Sequence, residues 1–207
     1  KDSKIGTTKR GNGPAYRDKY SRDGLRAETV DELSDYLIDI YDELHNSENV
    51  NVLFEGAQGF GLDIDWGDYP YVTSSHCTSA SALLNSIPAS AVRNIWGVGK
   101  VYDTYVGTKN FEPKNEIFNK IREAGEEYGA TTGRNRQCNW LDIDRLIKSI
   151  NINGITHLVL NKVDVLEKIG VHALYNQKKE LKFDDGEDMR AYILGRLEKP
   201  QLIHELQ

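Results

Sequence analysis

The stretch "NGITHLVLNKVD", residues 153–164, constrains this chain more than any other. Its apolar run is short for a helix and stops on polar turn residues, so it predicts a strand buried on both faces. Such strands belong to sheets covered by helices. Helical spacing on either side agrees, with one helix predicted over Asn115–Glu127 and another over Leu141–Ile150. "RNIWGVGKVYDTYV" predicts a further strand with a glycine-marked irregularity. Alternating strands and helices give the α/β class: a mostly parallel central sheet flanked by helices, with small additional β and helical elements. In that class, ligand loops sit at the C-terminal ends of the strands.

The rest of the chain is assigned in the same way. From Ala27 to about His45, Val30, Leu33, Leu37, Ile40 and Leu44 recur at helical spacing, which predicts an amphipathic surface helix. "NVLFEG" from Asn51 predicts a buried strand that turns into a glycine-rich loop. "SASALLNS" predicts a short helix, "VHALYNQKKELKF" a hairpin and "GEDMRAYILGRLEK" a helix. No internal repeat or interdomain linker is visible, so residues 1–207 are expected to be a fragment of a single domain.

Composition excludes several classes of function. The 207 residues carry a formal charge of −6 with both signs interspersed, so no strip of positive potential can follow a nucleic-acid backbone. Cys77 and Cys138 are far apart and lack paired metal-ligand spacing, which argues against both a disulfide framework and a Cys/His metal site and favours a reducing cytoplasm. The longest apolar run is too short to cross a bilayer.

Five motifs bear on chemistry. "NKVD", Asn161–Asp164, follows the buried strand directly. A carboxylate there can accept from both N1–H and N2–H of guanine while a lysine stem packs on the base. A solvated loop is the alternative. "GVGK" at 97–100 has Asn94 where a phosphate loop needs its first glycine and Val101 where it needs a hydroxyl, so it is read as a strand irregularity. "GATTGRNRQ" sets Arg134 and Arg136 on one glycine-hinged loop. Paired guanidinium forks suit a dicarboxylate, or a carboxylate beside a phosphate, although a basic surface turn has the same composition. "GTTKRGNGPAY" and "YVTSS" place hydroxyls beside loop glycines, which fits phosphate oxygens and equally fits ordinary turns.

Together, "GTTKRGNGPAYRDK", "FEGAQGFGLDIDWGDYPYVTSS", "EYGATTGRNRQCNWLD" and "INGITHLVLNKVDVL" resemble, in order and content, the adenylosuccinate synthetase family. The resemblance covers residues 6–26 and 50–168. It implies a fold related to the P-loop NTPases and a cytoplasmic, homodimeric, GTP-dependent ligase of purine biosynthesis with Mg²⁺ as cofactor. Such an enzyme transfers the γ-phosphoryl group of GTP to O6 of inosine monophosphate (IMP), and the amine of L-aspartate then displaces it.

The resemblance also implies roles. Thr8 and Thr73 hold the 5′-phosphate of the monophosphate, and Arg22 reaches that phosphate across a dimer interface. Gln58 faces the purine 6-oxygen as the catalytic amide and Val106 touches ribose. Thr131, Thr132, Arg134 and Arg136 form the aspartate loop, with the arginines also reaching ribose or triphosphate. Lys162 and Asp164 hold guanine. The family's phosphate loop, catalytic acid and base, and most Mg²⁺ ligands precede the motif at which this chain opens, so the chain is expected not to turn over alone. Its C-terminal end is a second candidate for truncation. Lys9, Asp23 and His76 depart from the family pattern near the monophosphate pocket. His76 could act as an acid or as an ordinary hydrogen-bonding residue. Two alternatives stay open: a phage-type enzyme joining aspartate to dGMP with ATP or GTP, and a catalytically incomplete nucleotide-binding half of a split enzyme.

Overall fold

A computed structural model of the chain describes residues 5–7, 9–46, 50–129, 133–197 and the backbone of 205–206. It divides into two compact units, Lys1–Arg93 and Asn94–Gln207.

In the second unit, β1 (Trp96–Lys100), β4 (His157–Asn161) and β7 (Glu205–Leu206) form a parallel sheet in the order β1-β4-β7. A second sheet has the order β2-β3-β5-β6, from β2 (Tyr102–Tyr105), β3 (Gln137–Asp142), β5 (His172–Asn176) and β6 (Lys179–Phe183). There β3 pairs with β5 in parallel, while β2–β3 and the predicted hairpin β5–β6 are antiparallel. The glycines of "GVGK" lie in regular register within β1; the chain breaks instead at Val101, where it passes from one sheet to the other. A Cβ on Gly97 would come within 2.5 Å of Ile155 Cδ1, so this glycine lets a core side chain close over the strand rather than distorting it.

Four helices, α4 (Ile117–Ala124), α5 (Ile143–Asn153), α6 (Val163–Ile169) and α7 (Gly186–Leu197), close this unit. Asp142 caps α5 by accepting from the N–H groups of Asp144 and Arg145, and Gly154 ends it in the left-handed region at φ 62°. α4 buries Phe118 and Ile121, and Phe118 meets Trp140 of β3 with ring centroids 5.0 Å apart. Met189, Ile193 and Leu197 of α7 recur four residues apart and complete the core with Leu158, Leu166 and Leu174.

In the first unit no strand forms among the described residues. Its elements are α1 (Asn12–Ser21), α2 (Ile40–His45), α3 (Ala80–Leu83) and short 3-10 turns at Ala27–Thr29, Asp31–Tyr36, Phe60–Leu62 and Ala89–Ala91. The single helix expected over 27–45 is therefore corrected to two 3-10 turns followed by α2. Its apolar stripe, Leu33, Leu37 and Ile40, is exposed and so contributes little of the burial that sustains a helix. Asp39 meanwhile caps a new start by accepting from Tyr41 and Asp42. The buried strand expected at "NVLFEG" is corrected too: Val52, Leu53 and Phe54 are exposed and unpaired in any ladder, because a strand needs a neighbour and this unit supplies none among its described residues. No helix of the described residues is long and apolar enough to cross a membrane.

Candidate functional site

Parallel pairing of β1 with β4 sets Lys100 opposite Asn161 at the C-terminal ends of both strands. "NKVD" starts there. Lys162 takes a left-handed conformation, φ 65°, which turns the chain sharply from β4 into α6, and Asp164 stands exposed in the first turn of that helix. The Lys162 ammonium donates to the carbonyl of Gly125 at 3.0 Å, tying this loop to the turn that follows α4.

Two residues along that turn lies Glu127, only 2% exposed. Its Oε1 accepts from Lys100 Nζ at 2.8 Å and from the Tyr102 hydroxyl at 2.7 Å, and its Oε2 accepts from Arg136 Nη1 at 3.0 Å. A buried carboxylate is tolerable only when so paired. Burial pushes the Glu127 carboxyl up, but the hydrogen bonds from Lys100 and Tyr102 and the charges of Lys100 and Arg136 outweigh it and hold the group below its ordinary value. The Tyr102 hydroxyl moves the other way, raised by burial and by its bond to Glu127. Gly125 is required by this packing: a Cβ there would collide with the Tyr102 hydroxyl and stand 3.0 Å from the Ile121 carbonyl.

Arg136 is fixed through its backbone as well. Its N–H donates to the Glu127 carbonyl at 3.0 Å, and its carbonyl accepts from Arg122 Nε at 2.7 Å. Arg122 is itself ion-paired with Glu112. The tip of the loop closes where Gly129 N–H donates to Arg134 O and Gly133 N–H to Gly129 O, with Tyr128 bridged to Asn135. Next along β3, Gln137 donates to the carbonyls of Gly107 and Lys109 and accepts from Phe111 and Glu112, which pins the loop that begins at Val106.

The second unit thus gathers Val106, Arg134, Arg136, Lys162 and Asp164 of the expected site. The first unit holds Arg22, Gln58 and Thr73. Arg22 is exposed at the left-handed C-terminus of α1, φ 66°, and Gln58 is exposed at φ 70°. Thr73 is part-buried, with its N–H on the Leu62 carbonyl at 2.8 Å. A Cβ on Gly13 would sit 3.5 Å from Ser74 Oγ, so the "GNGPAY" and "YVTSS" segments approach each other. Thr8, Thr131 and Thr132 lie outside the described residues.

Lys100, Tyr102, Glu127 and Gln137 were not anticipated as part of the site. Glu127 stands just before the glycine-threonine loop, and an acid beside an arginine pair was a readable hint. Lys100 lies within a motif that reads as a strand irregularity. Neither Glu127 nor the one grouped set of ligands among the described residues suits Mg²⁺. Both oxygens of Glu127 are taken by cations and a hydroxyl, and the remaining grouped ligands, Asp63, Asp65 and His76, include an imidazole where Mg²⁺ prefers oxygen.

Comparison with known proteins identifies the family. The family model described as "Adenylosuccinate synthetase" matches residues 27–192. The adenylosuccinate synthetase of Thermodesulfovibrio yellowstonii is 38% identical over 217 residues, covering 82% of this chain and 51% of the relative. That of Clostridium perfringens is 39% identical over 209 residues, covering 78% and 49%. The chain spans about half the length of these curated relatives. A solved structure of fully ligated adenylosuccinate synthetase from Plasmodium falciparum superposes with a TM-score of 0.84 at 29% identity, over 98% of this chain and 68% of that one. The chain belongs to the adenylosuccinate synthetase family.

Proposed function

We propose that this chain carries the substrate-holding loops of a cytoplasmic, homodimeric ligase that joins L-aspartate to C6 of IMP at the expense of GTP. The observation that supports it best is that the lysine–aspartate loop after β4 and the arginine loop before β3 are tied to one another through Gly125 and Glu127. A guanine reader and a dicarboxylate clamp are thereby rooted in one buried ion network. Asp164 accepts from the guanine edge and Lys162 backs the base. Arg134, Arg136 and the threonines Thr131 and Thr132 take the aspartate carboxylates, with the arginines also reaching ribose or triphosphate. Thr8, Thr73 and Arg22 of the dimer partner hold the 5′-phosphate, Gln58 stabilises the purine 6-oxygen and Val106 lines the ribose. The γ-phosphoryl group moves from GTP to O6 and GDP leaves; the aspartate amine then attacks C6 and phosphate leaves with the former O6.

Calorimetric titration of the purified chain tests this reading. GTP is expected to bind in preference to ATP, and Asp164→Asn is expected to lower GTP affinity by about ten- to a hundredfold, the worth of a charge-assisted hydrogen-bond pair, while leaving ATP unchanged. Equal binding of both nucleotides, insensitive to this substitution, would overturn it. For the second substrate, Arg134→Leu should weaken aspartate binding far more than GTP binding.

A further inference from the structure

The segment Asp63–Cys77, in the first unit, holds a different set of ligating groups. Asp63 is 0% exposed and its carboxylate is immobilised: Oδ1 accepts from the N–H groups of Asp65 at 2.9 Å and Trp66 at 3.0 Å, and Oδ2 accepts from Cys77 N–H at 2.6 Å. A carboxylate has about four acceptor sites, so these three bonds leave one, on Oδ2. His76 Nδ1 stands 3.8 Å from that oxygen and 3.7 Å from Asp65 Oδ2. Both separations are too long for direct hydrogen bonds. They are the separations of donors that share an ion: two atoms each about 2.1 Å from a metal lie roughly 3.4 to 4.2 Å apart, depending on the angle between them. All three ligand atoms fall within 4.8 Å of one another, and Asp65, 68% exposed, is free to close the remaining gap.

We propose that Asp63, Asp65 and His76 bind one divalent transition-metal ion of the zinc class. One imidazole and two carboxylates suit Zn²⁺, Co²⁺ or Mn²⁺, whereas Mg²⁺ and Ca²⁺ favour sites built wholly from oxygen. Asp63 is the preorganised ligand, locked by backbone N–H groups as orienting contacts lock the ligands of metal sites generally. His76 supplies the softer donor and Asp65 closes the set from the solvent side. The ion ties the start of the segment to its end, beside the paired backbones of Leu62 with Thr73 and Ile64 with Ser75. This cross-link stiffens a unit whose large apolar side chains are mostly exposed. The proposal is independent of the nucleotide-binding reading.

The test uses the purified chain and metal alone. Zn²⁺ is titrated in competition with a chromophoric chelator, and Co²⁺ is followed by its visible absorption. One equivalent is expected to bind. His76→Asn should weaken it by more than the about 10- to 100-fold that orienting groups around a metal typically contribute. Asp65→Asn, at an exposed position that preserves the fold, should weaken it as well, whereas His45→Asn should not. Paramagnetic broadening by Mn²⁺ should centre on residues 63–77, and millimolar Mg²⁺ should not compete. Absence of binding, binding unaltered by both His76→Asn and Asp65→Asn, or equal loss with His45→Asn would overturn the site; effective competition by Mg²⁺ would overturn the metal class.

Discussion

The two units hold their functional loops in opposite ways. In Asn94–Gln207 the arginine loop is fastened to a hydrophobic core through a buried carboxylate and two cations, and the lysine–aspartate loop through the bond from Lys162 to the Gly125 carbonyl. In Lys1–Arg93 the loops bearing Gln58 and Thr73 rest on local turns and short backbone bonds, and Tyr36, Ile38 and Leu53 face outward. The difference shows that a site residue can be placed either by packing or by turn chemistry alone. Packing resists perturbation in proportion to burial, while turn chemistry depends on single backbone hydrogen bonds.

That contrast can be broken first at the core. Phe118→Ala removes a fully buried ring from beside Trp140 and should cost about 3 to 5 kcal/mol in urea unfolding of the second unit. Glu127→Gln should follow at about 3 kcal/mol, because it leaves Lys100 and Arg136 without their buried counter-charge. It should also expose the chain at Arg134 to limited proteolysis, and an unchanged cleavage pattern would show that packing, not the ion network, holds Arg136 in place.

The same pair has a pH signature. The depressed Glu127 carboxyl contributes stability that is present above its unfolded pKa, about 4.3, and is lost as pH falls through the lower folded value. Asp103 of β2 has the opposite sign. Burial first, helped by the charge of Asp142, pushes its carboxyl up to about 6, against the Asp142 N–H and the charges of Arg145 and Lys100. Its folded form therefore binds the proton more tightly, and stability falls as pH rises from about 4 to about 6. Asp103→Asn should accordingly raise Tm at pH 8 and lose that advantage below pH 4; no gain at pH 8 would show that this carboxylate is solvated. The smallest effect is expected in the first unit. Leu53→Ala, at a side chain 94% exposed, should change stability by no more than about 0.5 kcal/mol. A cost near that of Phe118→Ala would mean that this apolar segment is covered in solution and that the contrast between the units is false.

Legibility differed between the units for the same reason. The β4 strand, the β5–β6 hairpin, α5 and α7 are readable because each carries its own apolar run, turn residues or cap, although in β4 only Leu158 is fully buried where the run predicts burial on both faces. The stripe at 27–45 and the run at "NVLFEG" carry equally clear patterns, yet neither forms the predicted element, since an apolar pattern states a need for a partner without supplying one. Among candidate site residues, Arg134, Arg136, Lys162 and Asp164 stand out by motif. Lys100, Tyr102 and Gln137 did not, because a lysine at a strand end and a glutamine in a strand look like ordinary solvated groups.

By itself, then, the sequence determined the α/β class, the family and most elements from Ile117 to Leu197, though not β3 or α6, since hydrophobic period, caps and contiguous motifs are local properties of the chain. Tertiary structure alone decided that Glu127 should be the hub of the second unit, meeting Lys100 and Tyr102 from 27 and 25 residues away. It likewise decided that His76 should face Asp63 and Asp65. The worth of a charge depends on which opposite charge or lone pair is brought within a few ångströms and how far water is excluded from between them. Both are set by chain segments distant in sequence, which no local pattern records.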